Sequence, residues 1–288
     1  MFSLIAVLVS QAASLSGSAP PPSGPPRVVF SAGVERRVEH VRYHFTDASS
    51  FDTTALVPHF FEQAYDASNT WISVAADYRL AGAAARTEVA FTPRVTTPGS
   101  DLDTFVDPSG DVIVSGTNGF VSLGSLAVVE RLGITTWHGW TIGVAVGYRR
   151  SRADFPPDFV IVTHTIPPSI TRTFSTDHET TISQVIESGF IGDAGWHLGG
   201  AWRLSASVDA LPITRGLLTV SLPGKYPGKG TTAAASAFGA RGRLAIERAF
   251  GGVTAGAGAT FGGVWSYEPS SAYRTQSAGV TLYLRAGH

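Results

Sequence analysis

An aspartate pair offers the clearest chemistry in the chain. Asp101 and Asp103 are separated by a single residue, and Asp107 and Asp111 follow them. Two carboxylates at this spacing can hold a water molecule or share one proton, because like charges shift each other's pKa values. This favours acid–base chemistry. The alternative interpretation is a solvated loop with a weak calcium site.

Histidine supplies the base for neutral pH that a pair of aspartates lacks. His178 follows Asp177 directly, and His59 and His164 could meet it above the barrel mouth. No spacing among these three requires a metal ion, and the chain has no cysteine for a thiolate zinc site. We therefore expect no metal and no cofactor.

A second group of charged residues lies on the polar face of alternating segments. That face carries small residues with Arg, Glu and Asp, whereas a face in contact with water would be rich in Lys and Glu. Arginine outnumbers lysine 19 to 2, and its planar guanidinium suits paired charges in a confined space. We predict a lumen charge network, with the outer face of a soluble barrel as the alternative. Its members are Asp77, Arg79, Arg86, Glu88, Arg149, Glu187, Arg203, Asp209, Arg241, Arg243 and Glu247.

Composition excludes several classes of protein. Charged residues make up 15% of the 288 residues and the net charge is −1, so we expect no nucleic-acid partner. No apolar run reaches the roughly 20 residues of a membrane-spanning helix. The chain also has too many aromatic and branched residues to be disordered.

The elements that must position these residues are strands, because apolar and polar residues alternate along much of the chain. In segment 140–148, for example, Trp, Ile, Val, Val and Tyr alternate with Thr, Gly, Ala and Gly. Strands are predicted near 28–44, 59–79, 84–95, 117–131, 140–148, 180–192, 198–208, 238–246, 253–261 and 273–285.

The predicted connections alternate in length. Short ones lie near 80–83, 132–138, 193–197 and 249–252. Long ones lie near 46–58, 96–111, 156–177 and 217–232. Tight turns at one end and long loops at the other are typical of outer-membrane proteins. The predicted fold is therefore an all-β, ten-stranded antiparallel transmembrane β-barrel over residues 27–288.

The N-terminal residues are predicted to lie outside the barrel. Residues 1–19 contain an apolar run and then small residues, as in a secretory signal peptide, and 10–12 (Ser-Gln-Ala) form a possible cleavage site. Residues 20–26 are rich in proline and are interpreted as an extended spacer.

Residues 147–155, with the sequence Gly-Tyr-Arg-Arg-Ser-Arg-Ala-Asp-Phe, resemble the end of the fifth strand of omptins. Omptins are ten-stranded outer-membrane proteases that use an Asp–His pair facing an aspartate pair. The resemblance implies that Asp101 and Asp103 are the aspartate pair. The omptin Asp-x-His belongs after the seventh strand, but residues 209–216 contain no histidine. A peptidase would need a rearranged catalytic site with Asp101, Asp103 and His178.

Two functions from different classes remain open. The first is a non-enzymatic outer-membrane barrel with a structural, surface-interaction or narrow-pore role. The second is an omptin-like endopeptidase. A soluble secreted β-barrel is a third alternative. The expected location is the outer membrane, and the expected partners are its lipid, lipopolysaccharide and the barrel insertion machinery. The last partner is implied by residues 277–285, which resemble the insertion signal of many outer-membrane barrels.

Overall fold

The computed structural model describes residues 28–45, 57–106, 109–156, 159–174, 178–221, 223, 228, 230–268 and 271–287. The predicted signal peptide and spacer lie outside these residues, as do Asp107 and Asp177. The strands are β1 (Val29–Phe45), β2 (Val57–Leu80), β3 (Ala83–Val106), β4 (Val112–Trp137), β5 (Trp140–Asp154), β6 (Phe159–Thr165), β7 (Pro168–Phe174), β8 (Thr180–Gly199), β9 (Trp202–Ser221), β10 (Thr231–Phe250), β11 (Val253–Ser266) and β12 (Ser271–Gly287).

Ten of these strands form a closed antiparallel barrel, as predicted. The order around it is β3-β2-β1-β12-β11-β10-β9-β8-β5-β4, and pairing of β3 with β4 closes the circle. Closure leaves none of the ten barrel strands with an unpaired edge. A lipid environment requires this, because lipid cannot satisfy exposed backbone hydrogen-bonding groups. The remaining two strands, β6 and β7, form a hairpin that extends the sheet from the first residues of β4.

One end of the barrel, the turn end, carries four tight turns together with the first residue of β1 and the last of β12. Two turns have positive φ at both central residues, Ala81–Gly82 and His138–Gly139, which matches the twist of a β-hairpin. The prediction of a connection at 193–197 is wrong, because β8 continues to Gly199 and the turn lies at 200–201. The opposite end is the loop end.

The strands extend farther toward the loop end than the sequence predicts. Residues 96–106 belong to β3, residues 217–221 to β9, and residues 159–174 form the added hairpin, so these parts of the predicted long loops are wrong. Both faces of β3 are polar here: Thr97 and Asp101 face inward and are buried, while Thr96 and Ser100 are exposed. Polar residues on both faces remove the alternation that identifies a strand.

The outer surface is apolar in the turn-side half of the barrel. Exposed large apolar side chains concentrate there, including Phe30, Val34, Val74, Phe91, Leu126, Ile134, Ile186, Phe190, Val208, Leu244, Ile246, Phe261, Val280, Leu282 and Leu284. Such a band is the lipid-facing surface of a transmembrane barrel. Within the described ranges, the chain forms no helix that is long and apolar enough to cross a bilayer.

The phase of the alternation reverses between the two halves of the barrel. In β1, Val34 and Val38 face outward, but Val41 and Tyr43 are buried inside while Arg42 is exposed. In β1 the loop-side half therefore has an apolar interior and a polar exterior, like a water-soluble protein, whereas Phe120 of β4 and the hairpin residues Ile170 and Phe174 are exposed apolar side chains on the same side. This reversal marks the edge of the membrane-spanning band.

In β9 the reversal occurs at a bulge around Pro212, which has no N–H to donate to a neighbouring strand. Odd-numbered residues face inward before the bulge and even-numbered residues after it, so Ile213 is 73% exposed and Leu218 is buried. Gly189 lies opposite the bulge, where a Cβ would lie 2.1 Å from the carbonyl oxygen of Ala210. Glycine is needed here because of this close backbone approach.

A charge in the apolar band is expected to destabilise the barrel. Leu282 is 62% exposed on β12 and lies opposite Val34 of β1. We expect Leu282→Arg to lower the free energy of unfolding in lipid vesicles by about 2–4 kcal/mol. Denaturant titration measures the change, with Gln276→Arg on the same strand, above the band, as the control. Equal effects of the two substitutions would contradict the assignment of the band.

The β6–β7 hairpin is attached to the barrel partly through Asp111. The Asp111 carboxylate accepts hydrogen bonds from the Thr165 backbone N–H at 2.8 Å and lies 2.7 Å from His164 Nδ1. The Thr165 N–H, followed by His164, lowers the pKa of Asp111. Because the pKa is lowered in the folded state, this contribution is complete above the ordinary aspartate pKa of about 4 and is lost as the pH falls below it.

We therefore expect hydrogen exchange at the Thr165 amide to be slow at neutral pH and to lose protection in acid, after correction for intrinsic exchange. In Asp111→Ala the amide is expected to be poorly protected at every pH. Identical profiles for the two proteins would show that Asp111 does not hold the hairpin.

Candidate functional site

The predicted aspartate pair lies inside the barrel near the loop end. Asp101 and Asp103 are inward-facing residues of β3 and are 2% and 3% exposed. Gln63 of β2 and Thr117 of β4 lie directly opposite Asp101 on the two neighbouring strands. The interpretation of the pair as part of a solvated loop is therefore wrong.

Glu179 joins the pair from the other side of the lumen. One carboxylate oxygen from each of Asp101, Asp103 and Glu179 lies within 4.8 Å of the others, and all three residues are buried. The Phe155 N–H donates to the Glu179 carbonyl at 2.8 Å and fixes the backbone there. We call these three residues the acidic cluster. Glu179 is not among the residues predicted from the sequence, and its one signal there is its position directly before the predicted sixth strand.

Gln63 connects the two sides of the acidic cluster. Its Nε2 donates to Glu179 Oε1 and, at 2.7 Å, to Thr181 Oγ1 of β8. Gln63 is fully buried. These bonds cross the interior, because β2 and β8 are not neighbours in the barrel.

The structure does not bring His178 together with the aspartates. The His178 side chain is exposed, whereas the next residue, Glu179, is completely buried. His164 contacts Asp111 instead. Among the described residues, Glu179 is the ionisable group that joins Asp101 and Asp103 in one cluster, and no imidazole belongs to it.

Below the acidic cluster the lumen is filled by side chains, which we call the interior core. Its members come from nine of the ten barrel strands and the segment after β5: Val41, Tyr43, Phe45, Tyr65, Ala67, Val121, Leu123, Ala153, Phe155, Val185, Leu218, Val220, Ala235, Ala237, Val264 and Tyr273. Burying a large apolar side chain contributes about 1.5–3 kcal/mol, so this core stabilises the barrel as well as filling it.

Tyr273 lies at the centre of the interior core and is 0% exposed. Its ring centroid is 4.8 Å from that of Tyr43, and its hydroxyl hydrogen-bonds Ser183 of β8, across the lumen from β12. Burial, together with the neighbouring Tyr43, raises the pKa of Tyr273, which lies beyond the apolar band. The phenol therefore stays protonated and available for this hydrogen bond.

A cavity of about 600 Å³, the turn-side cavity, lies between the interior core and the turn end. Its charged lining joins strands that are not neighbours, as where Arg131 of β4 binds Asp193 of β8 and Asp209 of β9. Other ion pairs inside the barrel, among the described residues, are Arg37 with Glu35 and Glu39, Arg86 with Asp77 and Glu88, Arg149 with Glu39, Arg241 with Glu187 and Asp209, and Arg285 with Asp77.

Four predicted network residues have other surroundings. Arg243 lies over the ring of Tyr283 at 4.2 Å, and Glu247 accepts a hydrogen bond from the Tyr283 hydroxyl at 2.6 Å. Arg203 lines the cavity but is exposed. Arg79 lies at the rim, where it donates to the Gly82 carbonyl at 3.0 Å. The predicted network lacks five residues that belong to these ion pairs: Glu35, Arg37, Glu39, Asp193 and Arg285.

Comparison with known proteins identifies the fold. No protein-family model matches the chain, and no curated protein matches it. Among solved structures, the outer membrane protease OmpT from Escherichia coli superposes with a TM-score of 0.59 at 8% identity, covering 96% of this chain and 100% of that one. The Ralstonia pickettii toluene transporter TbuX gives 0.27 at 10% identity, covering 97% of each chain. The predicted resemblance to omptins is therefore confirmed for the fold.

Proposed function

We propose that this chain acts in the outer membrane as a closed, non-enzymatic surface barrel. Its fold is that of an outer-membrane barrel. The observation that carries the proposal is the interior core, which fills the lumen between the turn-side cavity and the acidic cluster. Above the apolar band the strands continue as a polar-surfaced extension that is suited to contacts outside the membrane.

Several features of the lumen argue against a pore. Aqueous porins use about 16–18 strands, whereas this barrel has ten. Side chains also bond directly across it, as in the contact of Arg149 with Glu39, which are 3.8 Å apart on β5 and β1. The cavity is lined by both signs of charge and ends at the interior core.

The barrel and its location are tested by gel mobility of the detergent-extracted membrane fraction, with boiled and unboiled samples compared. We expect an unboiled band that runs faster and shifts on heating. Recovery of the protein in the soluble fraction, with no heat-dependent shift, would overturn the proposal.

Lipopolysaccharide is the proposed lipid partner, because arginines face outward just beyond the apolar band. Arg42 and Arg274 are exposed and directly opposite each other on β1 and β12. Like charges in this position repel, and a lipid phosphate between them would relieve the repulsion and accept hydrogen bonds from both guanidinium groups. We expect Arg42→Gln/Arg274→Gln to copurify with less lipopolysaccharide than the wild type or Arg172→Gln, a hairpin control. Equal lipid content would contradict this contact.

A peptidase is the second candidate function, favoured by the convergence of Asp101 and Asp103 with Glu179 near the loop end. Their burial and the exposed position of His178 make it the weaker candidate. Purified wild-type protein would have to cleave basic peptides, and Asp103→Asn would have to abolish the cleavage. We expect no cleavage by either protein.

A further inference from the structure

We propose that the acidic cluster is a calcium site that links the two sides of the barrel near its loop end. Three buried carboxylates converge there from separate elements: Asp101 and Asp103 from β3, and Glu179 from the residue before β8. Carboxylate oxygens that converge this closely from separate elements form the kind of donor set that binds a divalent cation. A cation bound by all three carboxylates would hold β3 to the start of β8.

An independent observation at Gln63 points to a cation. This side chain is 0% exposed, and its Oε1 has no hydrogen-bond partner in the described part of the chain. Gln63 lies directly opposite Asp101, and the Nε2 of the same amide bonds Glu179 and Thr181. The bonds of Nε2 place this amide beside the acidic cluster. A buried acceptor without a donor is unfavourable there, and coordination of a cation by Oε1 would remove that cost.

The donor chemistry selects calcium. All four side chains offer oxygen, and none offers the nitrogen or sulfur that zinc prefers. Three carboxylates and one amide provide up to seven oxygen atoms, within the six to eight that Ca²⁺ binds. Ligands on opposite sides of Ca²⁺ lie at most about 5 Å apart, since each bond is about 2.3–2.6 Å. The 4.8 Å limit on the three carboxylate oxygens fits this geometry.

The site is distinct from the turn-side cavity and does not depend on whether the barrel conducts. It lies on the loop side of the interior core, so calcium there would stabilise the part of the barrel beyond the membrane. Failure of the calcium site would leave the closed barrel intact, and an open pore would leave the calcium site intact.

The test uses the full chain refolded in detergent and treated with EDTA. Tb³⁺ serves as the probe, because the buried Tyr65, two residues from Gln63 on the same face of β2, can sensitise its luminescence. We expect one Tb³⁺ per chain and displacement by Ca²⁺ with half-saturation at or below about 10⁻³ M. Ca²⁺ is also expected to raise the temperature of the heat-dependent gel shift.

Variants assign the site. Asp103→Asn and Gln63→Met are each expected to weaken Ca²⁺ binding at least about tenfold, which corresponds to about 1.4 kcal/mol. Asp66→Asn, on the outer face of β2, is the matched control and should bind like the wild type. If Asp103→Asn does not refold, Gln63→Met decides the question.

Three results would overturn the proposal. One is the absence of saturable binding at millimolar Ca²⁺. Another is equal binding by wild type and Gln63→Met. The third is displacement of Tb³⁺ by Mg²⁺ as effective as displacement by Ca²⁺, because the shorter Mg–O bonds of about 2.0–2.1 Å require a tighter octahedral cage.

Discussion

Tyr273→Ala is expected to lower the free energy of unfolding of the barrel by about 3–5 kcal/mol, the usual cost of truncating a buried aromatic side chain. Tyr273 is completely buried, packs on Tyr43 and hydrogen-bonds Ser183 across the lumen. The gap would not refill easily, because its neighbour Gly216 has no side chain; a Cβ there would lie 2.6 Å from the Tyr273 ring.

Denaturant titration in detergent measures this effect, with Tyr273→Phe as the matched control. The control keeps the ring and loses the hydroxyl with its hydrogen bond to Ser183, so we expect a cost of about 1 kcal/mol. If Tyr273→Ala lowered the free energy of unfolding no more than Tyr273→Phe, the ring would not be part of a packed core. The account of a filled lumen would then be wrong.

Arg131→Ala is expected to cost about 3 kcal/mol, through a different mechanism. Arg131 lies 3.0 Å from Asp193 and binds Asp209 more closely, and the Arg131 and Asp209 side chains are 15% and 8% exposed. Removing the guanidinium would leave two carboxylates near each other in a confined space. Breaking a buried ion pair by removing one partner is more destabilising than replacing both partners with apolar residues.

Arg79→Ala provides the control for Arg131→Ala, because Arg79 is an exposed rim residue that donates only to a turn carbonyl among the described contacts. We expect its effect to stay within about 0.5 kcal/mol. In a second comparison, Arg131→Met/Asp209→Leu should recover part of the loss, since it removes the Asp209 charge, which after loss of Arg131 would keep only the longer contact of 3.7 Å with Arg241. Similar losses for Arg131→Ala and Arg79→Ala would show that the lumen charges are freely solvated.

The membrane-spanning half of the fold could be predicted because lipid imposes a simple pattern there. In β5, Ile142, Val144 and Val146 face outward, while Gly143 and Ala145 are buried inside. A period of two with large apolar residues on one face is unambiguous.

The loop-side half could not be predicted so well, because its interior and exterior exchange character. Residues 96–104 are largely polar on both faces, and the sequence predicts a loop there. In β1 the apolar residues shift by one position between Val38 and Val41, and this shift is the signal that would have revealed the interior core.

Only part of the acidic cluster could be predicted from the sequence, for a related reason. Asp101 and Asp103 are close in sequence, but Glu179 and Gln63 join them only through pairing and contacts across the lumen. Gln63 and Glu179 are 116 residues apart, and no local spacing reports such a contact. The same holds for Arg131, Asp193 and Asp209.

The most direct test of the closed barrel is the conductance of refolded wild-type protein in planar lipid bilayers, with Tyr43→Ala/Tyr273→Ala measured beside it. The filled lumen predicts no steady channel for the wild type and an increase in current when both tyrosines are removed. A stable ohmic channel in the wild type, unchanged in the double variant, would contradict the account.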